Sequence, residues 1–306
     1  MKYRSISGIG VRASVIGMGC ANLASLSNPI PRERALATLH AALDNGINFF
    51  DTADSYGQGR SEQLIGEALK GHRQDAIIQT KVGHCFGIAG KSASLLKEVV
   101  KTTARYIPGM GKAILRLRNA TLTQNFTSDY IRASVEASLV RLHTDYIDIL
   151  MLHSPPSPLP MQDEVQKVLE SLRTEGKILR YGVSTEGINL DQAPLMPREI
   201  TQFPLVSPAE DVVAYAERLQ SDTSFLIGRE SFRYCRMECE RDAAFRKQMD
   251  AVSDDFFDAA MALCLHRFPI GVLLVGMTRP ESALRNASLL DRVSVEGLDM
   301  ATDNDY

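Results

Sequence analysis

Short apolar segments alternate with longer amphipathic segments along most of the chain, and this alternation limits the possible folds more than any other feature. Continuous apolar strands separated by helices are typical of a parallel sheet that is buried on both faces. Eight strand-helix units most simply close into a single-domain α/β fold, the (β/α)8 TIM barrel. The predicted strands lie at residues 14–18, 47–50, 75–81, 146–153, 178–184, 199–203, 224–229 and 270–277.

A doubly wound sheet is the alternative arrangement of such units. It usually carries a GxGxxG motif for a dinucleotide. This chain lacks that motif, because the segments GIGVRA and GQGRSE each miss the third glycine. The barrel is therefore expected to be one domain that occupies residues 1–306.

Two long connections interrupt the alternation, at about residues 84–126 and 230–255. Long connections in a compact domain are usually lids, binding loops or disordered segments. Each of these follows a predicted strand, so both are expected as loop insertions on the C-terminal face, where barrel chemistry takes place.

Composition narrows the function classes. The net charge of −3 gives no reason to expect nucleic acid as a partner. The longest apolar runs are too short for a membrane helix, and the first residues lack the apolar core of a signal peptide, so a cytoplasmic location is expected. The five cysteines are scattered and have no metal-ligand spacing, so free thiols and no metal site are predicted.

Four polar residues follow or end consecutive predicted strands. Asp51 and Tyr56 come after the second strand, Lys81 ends the third, and His153 ends the fourth. Neighbouring strands of a barrel place such side chains on one rim, so these four are predicted to form one site.

This combination of side chains suits the donation of a proton to a carbonyl group. A nearby lysine ammonium favours ionisation of a tyrosine hydroxyl, and an aspartate orients the lysine and compensates its charge. A neutral histidine can polarise a carbonyl oxygen. None of these groups is a hydride donor, so a cofactor is expected to supply the hydride.

Several segments resemble the aldo-keto reductases, in the order and spacing of that family. The resemblance implies a (β/α)8 barrel that binds NADP(H) in extended form without a Rossmann motif. It also implies a catalytic tetrad of Asp51, Tyr56, Lys81 and His153, with Tyr56 as the general acid. The matching segments are GINFFDTADSYGQGRSEQLIGEAL, IIQTKVG, ASLVRLHTDYIDILMLHSP, GKILRYGVS and VGMTRPESALRNASLL.

The cofactor site implied by the resemblance draws on the ends of several strands. Thr185 stands where the family usually has asparagine, and Ser282 where arginine is common. Arg279, beside the start of the last helix, is the candidate partner for a 2′-phosphate, because guanidinium is the favoured partner of phosphate. The implied cofactor-binding residues are Gly19, Cys20, Asp51, Ser184, Thr185, Gln202, Arg229, Gly276, Thr278, Arg279, Ser282 and Asn286.

The leading hypothesis is an NADP(H)-dependent reductase or dehydrogenase that acts, as a monomer, on a small carbonyl or alcohol. One alternative is a cofactor-binding regulatory subunit on the same barrel. Another is a Schiff-base aldolase with Lys81 as nucleophile, which would require that lysine to lose its proton beside Asp51. The sequence identifies neither the substrate nor the physiological direction.

Overall fold

Eight parallel strands close into a barrel in the computed structural model, which describes residues 1–25, 28–86, 122–188, 200–206, 208–220 and 225–293. The predicted single-domain (β/α)8 TIM barrel is therefore confirmed. The strands of the described residues are, in chain order, β1 (Tyr3–Arg4), β2 (Ala13–Ser14), β3 (Ile16–Gly19), β4 (Phe49–Asp51), β5 (Ile77–Val82), β6 (His84–Phe86), β7 (Leu122–Gln124), β8 (Ile147–His153), β9 (Ile178–Ser184), β10 (Ile200–Pro204), β11 (Phe225–Arg229) and β12 (Val272–Gly276).

The order of the strands around the barrel follows the chain. β3, β4, β5, β8, β9, β10, β11 and β12 are neighbours in that sequence, and β12 pairs with β3 to close the barrel. The strands β1 and β2 form one antiparallel pair outside the barrel, and β6 and β7 form another. Parallel pairing throughout the barrel puts the carboxyl ends of all eight strands on one face.

Helices surround the barrel, and glycines with a positive φ, such as Gly46 and Gly176, follow the ends of some of them. The α-helices of the described residues are α1 (Arg32–Asp44), α2 (Arg60–Ala68), α3 (Ser128–Leu142), α4 (Gln162–Thr174), α5 (Ala209–Gln220), α6 (Ser231–Arg241), α7 (Ala243–Val252), α8 (Phe256–Arg267), α9 (Pro280–Ala287) and α10 (Leu289–Arg292). None of these helices is long and apolar enough to cross a membrane.

The alternation of side chains along each strand divides the core into two layers. On β5, Ile77 faces a small cluster inside the barrel, whereas Ile78 belongs to the large cluster between the strands and the helices. Ile6 and Ile9, in the loop that joins β1 and β2, also belong to the inner cluster. The N-terminal segment thus contributes apolar side chains to the barrel interior, a role that the sequence did not indicate.

The expected loop at residues 230–255 is wrong in one respect, because α6 and α7 occupy most of it. The length of this connection suggested a lid, a binding loop or a disordered segment. However, Tyr234, Cys235 and Glu238 form the buried side of α6, and Phe245 and Met249 that of α7. These spacings of three and four residues are helical, so the charged residues of α6 and α7, apart from Glu238, occupy the exposed faces of two amphipathic helices.

The other long connection, predicted at about 84–126, is described only at its two ends. There β6 and β7 pair, with His84 opposite Gln124. The rest of this predicted insertion lies outside the described residues.

Candidate active site

Asp51, Tyr56, Lys81 and His153 meet at the carboxyl ends of β4, β5 and β8. Asp51 is the last residue of β4, His153 is the last residue of β8, and Lys81 lies near the end of β5. Tyr56 lies in the loop between β4 and α2, five residues beyond Asp51. The structure therefore brings all four predicted catalytic residues to one rim.

A buried lysine is the centre of this cluster. The Lys81 Nζ atom donates to Asp51 Oδ1 at 2.5 Å and to the backbone oxygen of Thr52 at 2.9 Å. It also lies 3.4 Å from the hydroxyl oxygen of Tyr56. Only 1% of Lys81 and 5% of Asp51 is exposed, so the ion pair is shielded from solvent.

The charge on Lys81 is set by its two neighbours. Burial by itself disfavours the ammonium, but the Asp51 carboxylate and the Tyr56 hydroxyl outweigh it and hold the pKa of Lys81 above its ordinary value. The lysine consequently remains protonated, with its positive charge directed at the tyrosine oxygen.

Aromatic contacts extend the cluster beyond Tyr56. The His153 ring lies edge-on to the Tyr56 ring, with 5.9 Å between the centroids. The His84 ring, from the start of β6, stacks on His153 with the centroids 4.0 Å apart. The amide of Gln124, on β7, donates to the backbone oxygen of Ser154 at 2.6 Å and so connects the hairpin to the end of β8.

Buried polar contacts anchor α2, which follows the loop that carries Tyr56. Glu62, on α2, accepts hydrogen bonds from Arg141 Nε at 2.6 Å and from Thr80 Oγ1 at 2.7 Å. Gly59 has a positive φ of 83° at the N-terminus of α2, a conformation that favours glycine. The chain can therefore turn sharply after Tyr56 and begin a helix that is anchored to β5 and α3.

Asp54 is the second titratable group of this loop. Burial, and to a lesser extent the nearby Glu62 carboxylate, raise the pKa of its carboxyl to about 8 against the opposing effect of Arg141. Arg141 already pairs with Glu62, so one cation serves two carboxyl groups. Asp54 is thus a group that holds a proton at neutral pH.

A cavity of about 520 Å³ opens beside the four catalytic candidates. Nine residues predicted from the sequence line it: Gly19, Asp51, Tyr56, Lys81, His153, Ser184, Gln202, Arg229 and Gly276. The remaining lining residues, which the sequence reasoning missed, are Ala21, Asn22, Ser154, Glu186, Glu230 and Leu274. Most of these follow the end of a barrel strand, so the rule that identified the tetrad would also have found them.

The other predicted cofactor residues lie away from the lining of this cavity. The Cys20 side chain is fully buried, its Sγ contacts the backbone oxygen of Met18 at 3.4 Å, and burial raises the pKa of the thiol. The Thr185 hydroxyl points to the backbone oxygen of Gln202, at 3.4 Å. Thr278, Arg279, Ser282 and Asn286 lie in the segment that leaves β12 and forms α9.

Arg229 and Arg285 are both engaged by neighbouring groups. Arg229 donates to the backbone oxygen of Thr185 at 2.7 Å and pairs with Glu230. Arg285 forms ion pairs with Asp258, at 3.1 Å, and with Asp255. Arg279, by contrast, is exposed at the N-terminus of α9 and pairs with no carboxylate in the described parts of the chain.

Two buried glutamines, which the sequence reasoning did not connect, lie beside Asp51 and beside each other. Gln79 Nε2 donates to Asp51 Oδ1 at 2.6 Å and lies 3.4 Å from Gln202 Oε1. Gln202 Nε2 lies 3.5 Å from the same Asp51 oxygen. Gln79 looks like an ordinary strand residue in the sequence, and only closure of the barrel brings it near Gln202.

The fold and the site define an α/β barrel with an ionisable cluster at the carboxyl ends of its strands, and comparison with known proteins identifies its family. Residues 15–200 match the model of the aldo/keto reductase family. The chain therefore belongs to the aldo/keto reductase family.

Two curated relatives illustrate this membership. The aldo-keto reductase YhdN of Bacillus subtilis is 32% identical over 191 residues, which cover 61% of this chain and 48% of that protein. The NADH-specific methylglyoxal reductase of Escherichia coli is 33% identical over 184 residues, which cover 59% of this chain and 48% of that protein. The chain thus spans about half the length of the curated relatives that it matches.

Among solved structures, the holo form of the aldo-keto reductase AKR11C1 from Bacillus halodurans has a similar fold. The TM-score is 0.69 at 24% identity, and the match covers 95% of this chain and 91% of that chain. At this identity the likeness concerns the fold alone.

Proposed function

We propose that the protein is an NADP(H)-dependent oxidoreductase that interconverts a carbonyl compound, such as an aldehyde, ketone or sugar lactone, and the corresponding alcohol or lactol. The proposal rests on the contact of the Tyr56 hydroxyl with Lys81 Nζ, at 3.4 Å, on the wall of the cavity. A tyrosine hydroxyl beside a buried ammonium is suited to give a proton to an oxygen atom that gains negative charge.

In the direction of reduction, Tyr56 donates the proton that the carbonyl oxygen takes up. Lys81 stabilises the phenolate that remains, and Asp51 keeps the lysine in position and compensates its charge. His153, edge-on to Tyr56, is placed to orient the carbonyl oxygen. When bound, the nicotinamide cofactor supplies the hydride. In the direction of oxidation, Tyr56 takes the proton from the alcohol.

The polar lining of the cavity fits a nicotinamide. Ser184 and Gln202 offer hydroxyl and amide groups that would hold the carboxamide of the ring. Gly19 and Gly276 line the opposite wall, where the absence of side chains leaves room for a ring close to the backbone. These four residues, with Asp51, form the proposed nicotinamide end of the site.

The preference for NADP(H) rests on Arg279 and the helix that follows it. An exposed guanidinium at the N-terminus of α9 suits a phosphate group, because the helix dipole and the cation both attract negative charge. Arg285 lies on the same helix but is paired with Asp255 and Asp258. One relative is NADH-specific by name, so this preference needs a direct test.

The protonated state of Lys81 disfavours a Schiff-base aldolase. A nucleophilic lysine must be a free amine, whereas Asp51 and Tyr56 hold the pKa of Lys81 above its ordinary value. We therefore place Lys81 in a supporting role and not in covalent catalysis.

The proposal is tested by mixing the protein with NADPH or NADH and a panel of aldehydes, ketones and sugars while following the absorbance of the reduced nicotinamide. Oxidation of NADPH that depends on one class of carbonyl would support it. Binding of the cofactor without turnover of any carbonyl or alcohol would instead indicate a regulatory subunit.

The proposal extends to the oligomeric state, the location and the partners of the protein. We expect a monomer that acts on a small molecule in the cytoplasm, without nucleic acid or membrane as a partner. Size-exclusion chromatography with light scattering tests the monomer, and cell fractionation tests the location.

A further inference from the structure

Gln79 is a polar residue at an inner position of the barrel, where its neighbours on the strand are apolar or catalytic. Along β5, Ile77, Gln79 and Lys81 share the inward-facing side, because side chains alternate between the two faces of a strand. Gln79 is also the direct pairing partner of Asp51 on β4. The amide is fully buried, and an amide at such a position costs free energy unless it forms hydrogen bonds.

The amide group of Gln79 meets the carboxylate that holds Lys81. Asp51 Oδ1 accepts from Gln79 Nε2 at 2.6 Å, on the same oxygen that accepts from Lys81 Nζ at 2.5 Å. The amide nitrogen must face Asp51, since the amide oxygen would be repelled by the carboxylate. Gln79 thus provides a second, neutral donor that fixes the orientation of Asp51.

The same amide reaches towards the proposed nicotinamide end of the site. Gln79 Nε2 lies 3.4 Å from Gln202 Oε1, on the other side of the barrel interior. The oxygen of Gln79, Oε1, has no hydrogen-bond partner within the described residues. The Gln79 side chain therefore makes its hydrogen bonds through its nitrogen, on the side that faces Asp51 and Gln202.

We propose that Gln79 is a positioning residue, which fixes the Asp51 carboxylate for Lys81 and links this ion pair to Gln202. The inference rests on the proposed function, in which Asp51 and Lys81 support proton transfer by Tyr56. If the hydrogen bond from Gln79 is lost, the Asp51 carboxylate can rotate. Lys81, which is bound to that carboxylate, is then no longer held beside the Tyr56 hydroxyl.

The test uses Gln79→Met in the 306-residue chain, because methionine has a similar length and shape but no donor. We expect kcat to fall about tenfold or more, the kinetic equivalent of one hydrogen bond to a charged group, with KM for the carbonyl little changed. The melting temperature should fall only slightly, because Asp51 keeps its ion pair with Lys81 and the unpaired amide oxygen is removed as well. Met151→Leu, an inward-facing apolar exchange on β8, is the matched control and should leave kcat unchanged.

A second variant distinguishes positioning from packing. In Gln79→Glu the introduced carboxyl donates to Asp51 only when it is protonated, so its activity relative to the wild type should rise as the pH falls. A double-mutant cycle of Gln79→Met with Gln202→Leu tests the link, and the combined loss should be smaller than the product of the single losses.

Several results would overturn the inference. A kcat of Gln79→Met within about twofold of the wild-type value would overturn the positioning role of Gln79, because the expected fall is about tenfold or more. The proposed function would remain intact. A pH-independent defect in Gln79→Glu, or a large loss of thermal stability in Gln79→Met without a fall in the kcat of the folded protein, would indicate packing alone. If the fall in kcat of the double mutant equals the product of the falls in the two single mutants, the link to Gln202 is overturned. A wild-type protein that oxidises no reduced nicotinamide with any carbonyl would overturn both proposals.

Discussion

At the scale of single residues, the site depends on charges that are buried in pairs. Lys81 is almost completely buried, which would strongly disfavour its ammonium without Asp51 beside it. Breaking such a pair leaves an uncompensated buried charge, so each of the two residues stabilises the charged form of the other. Arg285, with Asp255 and Asp258, shows the same pairing near the surface, whereas Arg279 remains available for a ligand.

Arg279→Ala tests the choice of cofactor at this scale. We expect the variant to bind NADPH less tightly by ~1.5–3 kcal/mol, the range for a hydrogen bond to a charged group, with NADH binding nearly unchanged. Titration calorimetry with both cofactors measures the difference. Arg285→Ala is the control, because that guanidinium is paired with Asp255 and Asp258 and should not distinguish the two cofactors. Equal losses for NADPH and NADH in Arg279→Ala would show that the 2′-phosphate binds elsewhere.

At the scale of elements, the helices α6 and α7 are part of the packed structure. Tyr234 on α6 lies edge-on to Phe245 on α7, with the ring centroids 5.9 Å apart, and to Phe268 at 5.2 Å. All three aromatic residues belong to the large core cluster between barrel and helices. The segment after β11 is consequently a pair of structural helices and not a mobile loop.

Phe245→Ala measures how firmly these helices belong to the core. The side chain is 2% exposed, so its truncation should cost about 3–5 kcal/mol in the free energy of unfolding, as for other buried phenylalanines. Urea denaturation followed by circular dichroism gives this value. Lys247→Ala, on the exposed side of the same helix, should change stability by less than about 0.5 kcal/mol. A similarly small effect of Phe245→Ala would show that α7 does not stabilise the barrel.

Sequence periodicity was sufficient for the barrel strands. The segments predicted at 178–184 and 224–229 became β9 and β11 within one residue, because apolar runs of this length between helices have few other arrangements. The same reasoning failed for α6 and α7, where high charge concealed a helical spacing of buried residues. Apolar residues spaced three and four apart would have been the better guide.

The arrangement of the candidate site was predictable where its residues lie at the ends of neighbouring strands, and unpredictable where side chains meet across the barrel. Asp51 and Lys81 lie at the ends of adjacent strands, so their proximity follows from strand order alone. The contact of Gln79 with Gln202 joins strands that are far apart in the chain, and its geometry depends on barrel closure. Sequence patterns carry no information on such distances.

At the scale of the whole molecule, buried carboxyl groups make stability depend on pH. Asp54 has a folded-state pKa of about 8 against an ordinary value of 3.8, mainly because of burial. Between these pH values the folded protein keeps a proton that the unfolded chain releases. The contribution of Asp54 to stability is therefore fully present below pH 3.8 and is lost as the pH rises through about 8.

Asp54→Asn isolates this contribution, since asparagine is similar in shape and does not titrate. We expect the melting temperature of the variant, relative to the wild type, to rise steadily from about pH 4 to about pH 8 and then to level off. Differential scanning calorimetry across this range provides the measurement. A constant difference at all pH values would mean that the Asp54 carboxyl titrates normally in the folded protein.

Tyr56 is the proposed proton donor, and the turnover of Tyr56→Phe shows whether it acts as one. The substitution removes one hydroxyl and leaves the ring next to His153, so cofactor affinity should stay nearly constant. We predict that kcat falls by ~10²–10⁴-fold, the usual loss for a missing general acid. Tyr146→Phe, at the opposite end of β8 from His153, is the matched control and should retain full activity. Near-normal turnover by Tyr56→Phe would exclude Tyr56 as the proton donor, because the proton would then have to come from another group.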